Sequence, residues 1–250
     1  CEYWKKGLAS NWNAVCNGGI LMGAIAILPE DNNDIYNINE NEQMTGRDIC
    51  LQNIVFAIHD LETVMGEFYP DGAWKESVTY WDYTLRYLSE MISTIEVCFN
   101  TDFNILKSPG FSKTAFFPLS ATGNTGINNY HDDGLGEGRG VTQNVTSVRD
   151  IIWYNTEFEE ENFELKKNYY YAGAEFVSMR GSWTDNNSIW LSYHAGGATG
   201  THAHLDTGTF VLDLGGVRWA IDLGLSGNDY DDYEEMDDSI KRYKYYRTRR

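Results

Sequence analysis

His202-Ala-His204-Leu-Asp206 stands directly before the strand-like run Thr209-Phe-Val-Leu-Asp-Leu214. A second apolar run, Val217-Arg-Trp-Ala-Ile-Asp-Leu223, follows after Gly215-Gly216. Two such runs joined by a pair of glycines are typical of a β-hairpin. Because residues two apart on a strand project to the same face, the spacing predicts that the imidazoles of His202 and His204 point into one pocket.

A metal site is one interpretation of this hairpin. Asp222 lies among apolar neighbours on the returning run, where a lone carboxylate needs a partner. His204 and Asp222 would supply two ligands of a nitrogen and oxygen site suited to zinc, with a third ligand from elsewhere. The alternative is that the two histidines are hydrogen-bonded within the hairpin and that Asp222 is hydrogen-bonded to a turn. The spacing alone leaves both interpretations open.

The composition limits the class of protein. The chain has 250 residues, of which 42% are hydrophobic and 22% are charged, so it can bury a sizeable core. Its formal net charge is -18. Binding to nucleic acid or to an anionic membrane surface gains from a positive surface, so the net charge argues against both classes. The longest apolar stretch, residues 18–28, is too short to span a bilayer.

The predicted secondary structure changes from helices to strands along the chain. Apolar spacing predicts helices over residues 11–28, 45–66 and 73–99, joined by polar connections without strands, as in a helical bundle or toroid. A Gly-, Asn- and Asp-rich loop follows over residues 107–140. Strand-like runs then occupy residues 169–179 and 188–193 before the hairpin. We therefore expect an α+β multidomain protein with a helical segment at 1–107, a connecting cleft loop at 108–145 and antiparallel strands at 146–250.

Two groups of polar side chains are candidates for chemistry. Asn11 begins the first helix, where it serves either as an N-cap or as a neutral donor to a substrate oxyanion. Tyr80, Tyr83 and Tyr87 fall on adjoining positions of one face of the third helix. Such a stripe is either part of the core or, with the charged residues between, an aromatic surface of the kind that lines sugar clefts.

Four blocks of sequence together form a recognisable pattern: Asn11-Trp12-Asn13; Pro70-Asp-Gly-Ala-Trp-Lys-Glu-Ser-Val-Thr-Tyr-Trp-Asp-Tyr83; Ala121-Thr-Gly-Asn-Thr-Gly126 with Asn129-Tyr130; and Thr201-His-Ala-His-Leu-Asp-Thr-Gly-Thr-Phe-Val-Leu212 with Trp219-Ala-Ile-Asp-Leu-Gly224. With these blocks the chain resembles the heparinase II/III-like polysaccharide lyases over nearly its whole length. The resemblance implies the C-terminal part of an (α/α) helical toroid followed by the start of an antiparallel β-sandwich, with the active site between them.

The resemblance also implies a reaction and roles for residues. Asn11 and His202 would neutralise the carboxylate of a uronic acid, and a tyrosine would act as acid and base in β-elimination. Tyr83 and Tyr80 compete for that role, with Tyr83 preferred. His204 and Asp222 would bind a structural Zn²⁺. The resemblance puts its third ligand, a histidine, shortly after the basic run at the end of this sequence, and therefore beyond Arg250. Because the chain opens at Cys1 without an initiator methionine, it is interpreted as a segment of a longer protein. The implied substrate is an acidic polysaccharide such as a glycosaminoglycan, and the implied location is periplasmic or secreted.

Two other functions fit the same residues. A glycoside hydrolase on a similar helical toroid would need two carboxylates flanking the scissile bond, roughly 5 to 10 Å apart. Its candidates are Glu76, Asp82, Asp132 and Asp133. The other alternative is a non-catalytic carbohydrate-binding protein, which would use the aromatic residues that form 14% of the chain.

Overall fold

The computed structural model describes residues 9–28, 33–133, 165–197, 202–204 and 206–222. The chain forms two compact units. The first contains Cys1–Glu67 and Asp82–Ser108, and the second contains Phe68–Trp81 and Pro109–Arg250. The predicted domain boundaries stay a prediction, because much of 108–145 and of 146–250 lies outside the described residues.

The first unit begins with a helical hairpin that the sequence predicts well. Helix α1 spans Asn11–Ile27 and helix α2 spans Gly46–Gly66, which confirms both predicted helices. Thr45 caps α2, since its hydroxyl accepts a hydrogen bond from the backbone N–H of Asp48 at 3.1 Å. Between the two helices, contrary to the prediction of a strandless connection, strands β1 (Ile35–Asn39) and β2 (Glu42–Thr45) pair as a small antiparallel hairpin.

The interface of α1 with α2 combines apolar packing and a polar network. Ala24, Cys50 and Ile54 form a buried apolar cluster between these helices. Nearer the start of α1, the amide of Asn17 donates to the carboxylate of Asp60 at 2.9 Å and to the Asn13 side-chain oxygen at 2.7 Å. A buried carboxylate is tolerated only with such partners, so this network fixes the register of the two helices.

Helix α3 spans Val78–Phe99 and starts five residues later than the predicted start at residue 73. The cause is Ser77, whose backbone φ of 96° lies in the left-handed region and cannot continue a helix. The preceding residues instead form a buried turn in which Trp74 and Glu76 are each 1% exposed. The predicted loop after α3 contains short helical turns at Ile105–Lys107 and Phe111–Lys113 and a short helix α4 at Phe116–Ser120.

The second unit is built on one antiparallel sheet of five strands. The strands follow one another in chain order: β3 Asn168–Tyr171, β4 Phe176–Arg180, β5 Trp190–His194, β6 Phe210–Leu214 and β7 Val217–Ala220. The hairpin of β6 and β7 is confirmed, with Gly215 at φ 63° and Gly216 at φ 74°, which only glycine adopts without strain. The strand predicted over 169–179 is two strands, β3 and β4, separated by a tight turn.

Large aromatic side chains form the core of the second unit. Trp190 and Phe176 are fully buried on the sheet, and Phe117 packs edge-on against Phe176 with ring centroids 6.0 Å apart. Tyr130, also fully buried, stacks on Phe176 at 5.7 Å. The segment around residue 130 is therefore held against the sheet by aromatic packing.

Helices together with an antiparallel sheet confirm the α+β class. The toroid and the sandwich stay predictions; among the described residues of the second unit the five-stranded sheet is the only sheet. Within the part of the chain that the structure describes, no helix combines the length and the hydropathy that a membrane crossing requires.

Candidate functional site

His202 lies in a cluster with Tyr80 and Glu76, all within the second unit. The imidazole stacks on the ring of Tyr80 with centroids 3.7 Å apart and planes 15° apart. Its Nδ1 lies 3.5 Å from Oε1 of Glu76, whose side chain is 1% exposed, whereas that of His202 is 16% exposed. On the other side, the indole N–H of Trp74 donates to Oε2 of Glu76 at 3.1 Å. A buried carboxylate thus holds one edge of an imidazole that stays accessible.

The prediction that both histidines of the His202-Ala-His204 motif lie on a strand is wrong. Both precede β6, and His202 has a φ of 62°, in the left-handed region. This backbone turn sends the two imidazoles to different partners, because Nε2 of His204 lies 2.6 Å from Oδ1 of Asp132. The two side chains therefore have separate environments instead of sharing one pocket.

The two predicted metal ligands are both buried. His204 is 3% exposed and Asp222 is 1% exposed. Asp222 follows the end of β7, and its backbone oxygen accepts a hydrogen bond from the side-chain amide of Asn129 at 2.6 Å. The carboxylate of Asp132 on Nε2 of His204 resembles the carboxylate that orients a metal-binding histidine in many sites.

A second group of buried polar residues, His131, His194 and Asp206, escaped the sequence analysis as a site. Nδ1 of His131 lies 3.2 Å from Oδ2 of Asp206, and Nδ1 of His194 lies 3.7 Å from Oδ1. One ligand atom from each residue lies within 4.8 Å of the others, so the group could hold a metal ion. One signal pointed to His194: it alternates with Trp190 and Ser192 on the buried face of β5.

Burial sets the charge states of this group. Burial lowers the pKa of His194 to about 4, so its imidazole is neutral at neutral pH. Burial raises the pKa of Asp206, but the interactions of its carboxylate with His131 and His194 outweigh this effect and bring it to about 2. Nearby, burial raises the pKa of Asp133 to about 6. The group therefore presents neutral nitrogen and anionic oxygen, the forms in which these side chains bind metals.

A cavity of about 330 Å³ opens beside these residues. His131 and His194 line it, together with Lys75, Glu175 and small residues that include Gly196 and Ala203. The small residues leave the cavity unfilled, and Lys75 and Glu175 make its wall polar.

Two candidates from the sequence belong to the first unit. Asn11 is the first residue of α1 and is buried, whereas Ser10 is the N-cap residue, so the N-cap interpretation of Asn11 is wrong. Tyr83 is 40% exposed and contacts Tyr87 edge to face, with centroids 5.4 Å apart. Burial and its hydrogen bond with Tyr87 raise the pKa of Tyr83.

Comparison with known proteins gives a distant likeness among solved structures. No protein-family model matches the chain. No curated protein sequence matches it either. Among solved structures, a mutant of the heparan sulfate lyase HepC from Pedobacter heparinus matches with a TM-score of 0.48 and 17% sequence identity, over 73% of this chain. The chain spans 31% of the length of that protein.

Proposed function

We propose that the protein is a polysaccharide lyase that cleaves a uronic-acid-containing polysaccharide by β-elimination. The observation that carries the proposal is the stack of His202 on Tyr80, with ring centroids 3.7 Å apart, against the buried carboxylate of Glu76. An imidazole and a phenol in contact at a partly exposed position provide the two kinds of group that this reaction needs. The sequence blocks that resemble the heparinase II/III-like lyases include both residues.

The chemistry explains why a donor is needed beside an acid and base. The proton at C5 of a uronic acid is weakly acidic while the adjacent carboxylate is charged. A donor that neutralises the carboxylate also stabilises the enolate that develops as the proton leaves. His202 has this role in the proposal, and Asn11, a candidate from the sequence, is a second neutral donor. A base accepts the proton from C5, and the electrons of the enolate then expel the bridging oxygen from C4, which takes a proton from an acid. In the proposal one tyrosine serves first as this base and then as this acid.

The tyrosine is the proton-transferring group of the proposal. Contact with His202 favours Tyr80 for this role, which reverses the preference for Tyr83 from sequence. Tyr83 remains the alternative assignment, because it lies about one turn further along α3. The two assignments predict different variants to be inactive.

A structural Zn²⁺ bound by His204 and Asp222 is part of the proposal. Both residues are buried, and Asp132 contacts Nε2 of His204 at 2.6 Å, so Nδ1 would be the metal-binding nitrogen. The ion would tie the segment before β6 to the end of β7. The resemblance to the heparinase II/III-like lyases assigns the third ligand to a further histidine. In this role the metal takes no part in the bond cleavage.

Contacts of the candidate carboxylates argue against hydrolysis. Asp132 contacts His204, and the carboxylate of Asp133 accepts a hydrogen bond from the backbone N–H of Thr79 at 3.5 Å while being fully buried. Asp82 forms an ion pair with Arg86 at 2.6 Å. These contacts suit structural roles better than attack on a glycosidic bond.

The proposed substrate is an acidic polysaccharide, and the proposed location is periplasmic or secreted. The test is therefore an assay with a panel of uronate polymers, among them glycosaminoglycans. Elimination leaves an unsaturated uronate that absorbs in the ultraviolet, and hydrolysis leaves reducing ends without it. We expect ultraviolet absorbance to rise with at least one polymer, and to rise equally with His59→Ala, since His59 is an exposed residue of α2. Reducing ends without absorbance would contradict the proposal.

A further inference from the structure

We propose that His131, His194 and Asp206 bind a divalent transition-metal ion at a site separate from the pair His204 and Asp222. Two imidazole nitrogens and a carboxylate oxygen are ligands that suit Zn²⁺ and neighbouring first-row ions. The inference does not depend on the lyase reaction, because it concerns metal binding alone.

The spacing of the ligand atoms fits a metal ion. In a tetrahedral site with ligand bonds of about 2.0 to 2.1 Å, neighbouring ligand atoms lie roughly 3.3 Å apart. Oδ2 of Asp206 lies 3.2 Å from Nδ1 of His131, and Oδ1 of the same carboxylate lies 3.7 Å from Nδ1 of His194, so both contacts are close to that value. The second distance is too long for a hydrogen bond. Only small shifts of the side chains are needed to close the three ligand atoms around one ion.

Buried polar atoms at this position lack protein partners. Among the residues that the structure describes, Oδ1 of Asp206 and Nδ1 of His194 have no hydrogen-bond partner, although both side chains are nearly inaccessible to solvent. Buried polar groups are nearly always satisfied in folded proteins. The two atoms face each other, so a single ion between them would satisfy both.

His131 adds an electrostatic reason for a cation. The backbone N–H of His204 donates to Nδ1 of His131 at 3.3 Å, so this nitrogen carries a lone pair. The same nitrogen faces Oδ2 of Asp206, which already accepts the backbone N–H of His131 at 2.6 Å. Two electron-rich atoms in contact repel each other unless a cation or a proton lies between them. An ion would take the single lone pair of Nδ1, so the contact with the N–H of His204, which is long for a hydrogen bond, would be exchanged for a bond to the metal.

The surrounding structure holds the ligands in these positions. The ring of Tyr130 stacks on His194 with centroids 4.3 Å apart, which fixes the plane of the imidazole. A Cβ at Gly196 would lie 2.5 Å from Nε2 of His194 and would displace the ring. His131 has a φ of 60°, a conformation that needs support from its neighbours. The fold thus maintains an arrangement that hydrogen bonding alone does not satisfy.

The cavity gives the site an open side. His131 and His194 line the cavity of about 330 Å³, and Asp206 contacts both of them. An ion can therefore enter from the cavity, and a water molecule can complete its coordination. Three protein ligands and one open position are typical of zinc sites that exchange ligands, in contrast to closed structural sites.

Metal titration of the protein tests the inference. Metal is removed with a chelator, Co²⁺ is added, and bound metal is measured by elemental analysis while visible absorption reports the coordination. We expect the wild-type protein to bind Co²⁺ at this site with the intense absorption of a four-coordinate ion. His194→Ala and Asp206→Asn, checked for folding by circular dichroism, should each bind one equivalent less. His59→Ala is the matched surface control and should bind as the wild type does.

One further variant separates this site from the proposed zinc of the lyase. His204→Ala should retain the ion at His131, His194 and Asp206, because none of the three ligand atoms belongs to residue 204. If the His194 and Asp206 variants do not fold, nitrogen NMR of the wild-type histidines replaces them. Zn²⁺ should then shift the Nδ1 signals of His131 and His194. No bound metal in the wild type, unchanged stoichiometry in folded variants, or no shift of these signals overturns the inference, whether or not the protein is a lyase.

Discussion

The imidazole of His202 lies flat on the phenol ring of Tyr80, with planes 15° apart. The two residues are 122 positions apart in sequence and come together within the second unit. Tyr80 belongs to the first turn of α3, and His202 reaches it through a left-handed backbone turn before β6. A strained backbone at a partly exposed polar residue is common at functional sites.

The hydroxyl of Tyr80 is predicted to be essential to turnover. Tyr80→Phe keeps the stacked ring but removes the proton-transferring group, so kcat should fall by about 10² to 10⁴ with little change in thermal stability. Tyr170→Phe, at an exposed position of β3, is the matched control and should leave kcat unchanged. A large loss in Tyr83→Phe together with an active Tyr80→Phe would move the role to Tyr83.

Glu76 is predicted to act as a positioning residue for His202. Its Oε1 lies 3.5 Å from Nδ1 of the imidazole, and Trp74 holds the other oxygen. Glu76→Gln keeps the shape but loses the charge, so kcat should fall on the order of 10 to 100-fold while KM changes little. Steady-state kinetics of this variant and of Glu62→Gln, an exposed position on α2, test the role. Equal kinetics in both variants would show that Glu76 only supports the fold.

Much of the framework could be predicted from local sequence. Apolar spacing predicts α1 and α2, and the paired glycines predict the hairpin of β6 and β7, because helices and tight turns depend on neighbouring residues. The hairpin of β1 and β2 was missed because its strands are short and largely exposed, and so lack a pattern of buried residues.

The site could be predicted only in part. The motif of His202 and His204 drew attention to the right segment, but the left-handed conformation of His202 cannot be inferred for a residue that is not glycine. His131 and Asp206 are 75 residues apart, and their contact depends on how Tyr130 packs against the sheet. Contacts between distant residues are determined by the whole fold and leave little local signal.

The carboxyl group of Asp133 is predicted to make stability depend on pH. Its pKa is raised by burial from 3.8 to about 6, so the folded state retains a proton that the unfolded state releases. Below pH 3.8 both states are protonated, and the free energy of unfolding then falls as pH rises to about 6. The shift of roughly two pH units corresponds to about 3 kcal/mol.

Asp133→Asn should remove this dependence. Urea unfolding of chelator-treated protein between pH 4 and pH 7 measures it. Relative to the wild type, the variant should become more stable by about 3 kcal/mol as pH rises through this range. A constant difference between the two proteins would contradict the predicted protonation of Asp133.

Arg218 is predicted to be the main partner of a buried charge in the sheet. Its Nε donates to Oδ1 of Asp213 at 2.8 Å, and Asp213 is fully buried. Arg218→Met leaves this carboxylate without its cation and should lower the free energy of unfolding by about 3 to 5 kcal/mol. In the Asp213→Asn background, Arg218→Met should lower the free energy of unfolding by clearly less. Denaturant unfolding of the wild type, the two single variants and the double variant gives the coupling free energy between Arg218 and Asp213. Additive effects of the two substitutions would contradict the predicted pairing.

The most direct test of the proposed function is the mass balance of cleavage. A uronate oligosaccharide of defined mass is incubated with the protein, and the products are measured by mass spectrometry. β-Elimination adds no atoms to the substrate, so the masses of the two products should sum to the mass of the substrate. One of the two products should carry the unsaturated end. Hydrolysis adds one water molecule for each bond cleaved, and products whose summed mass exceeds the substrate by one water would contradict the account.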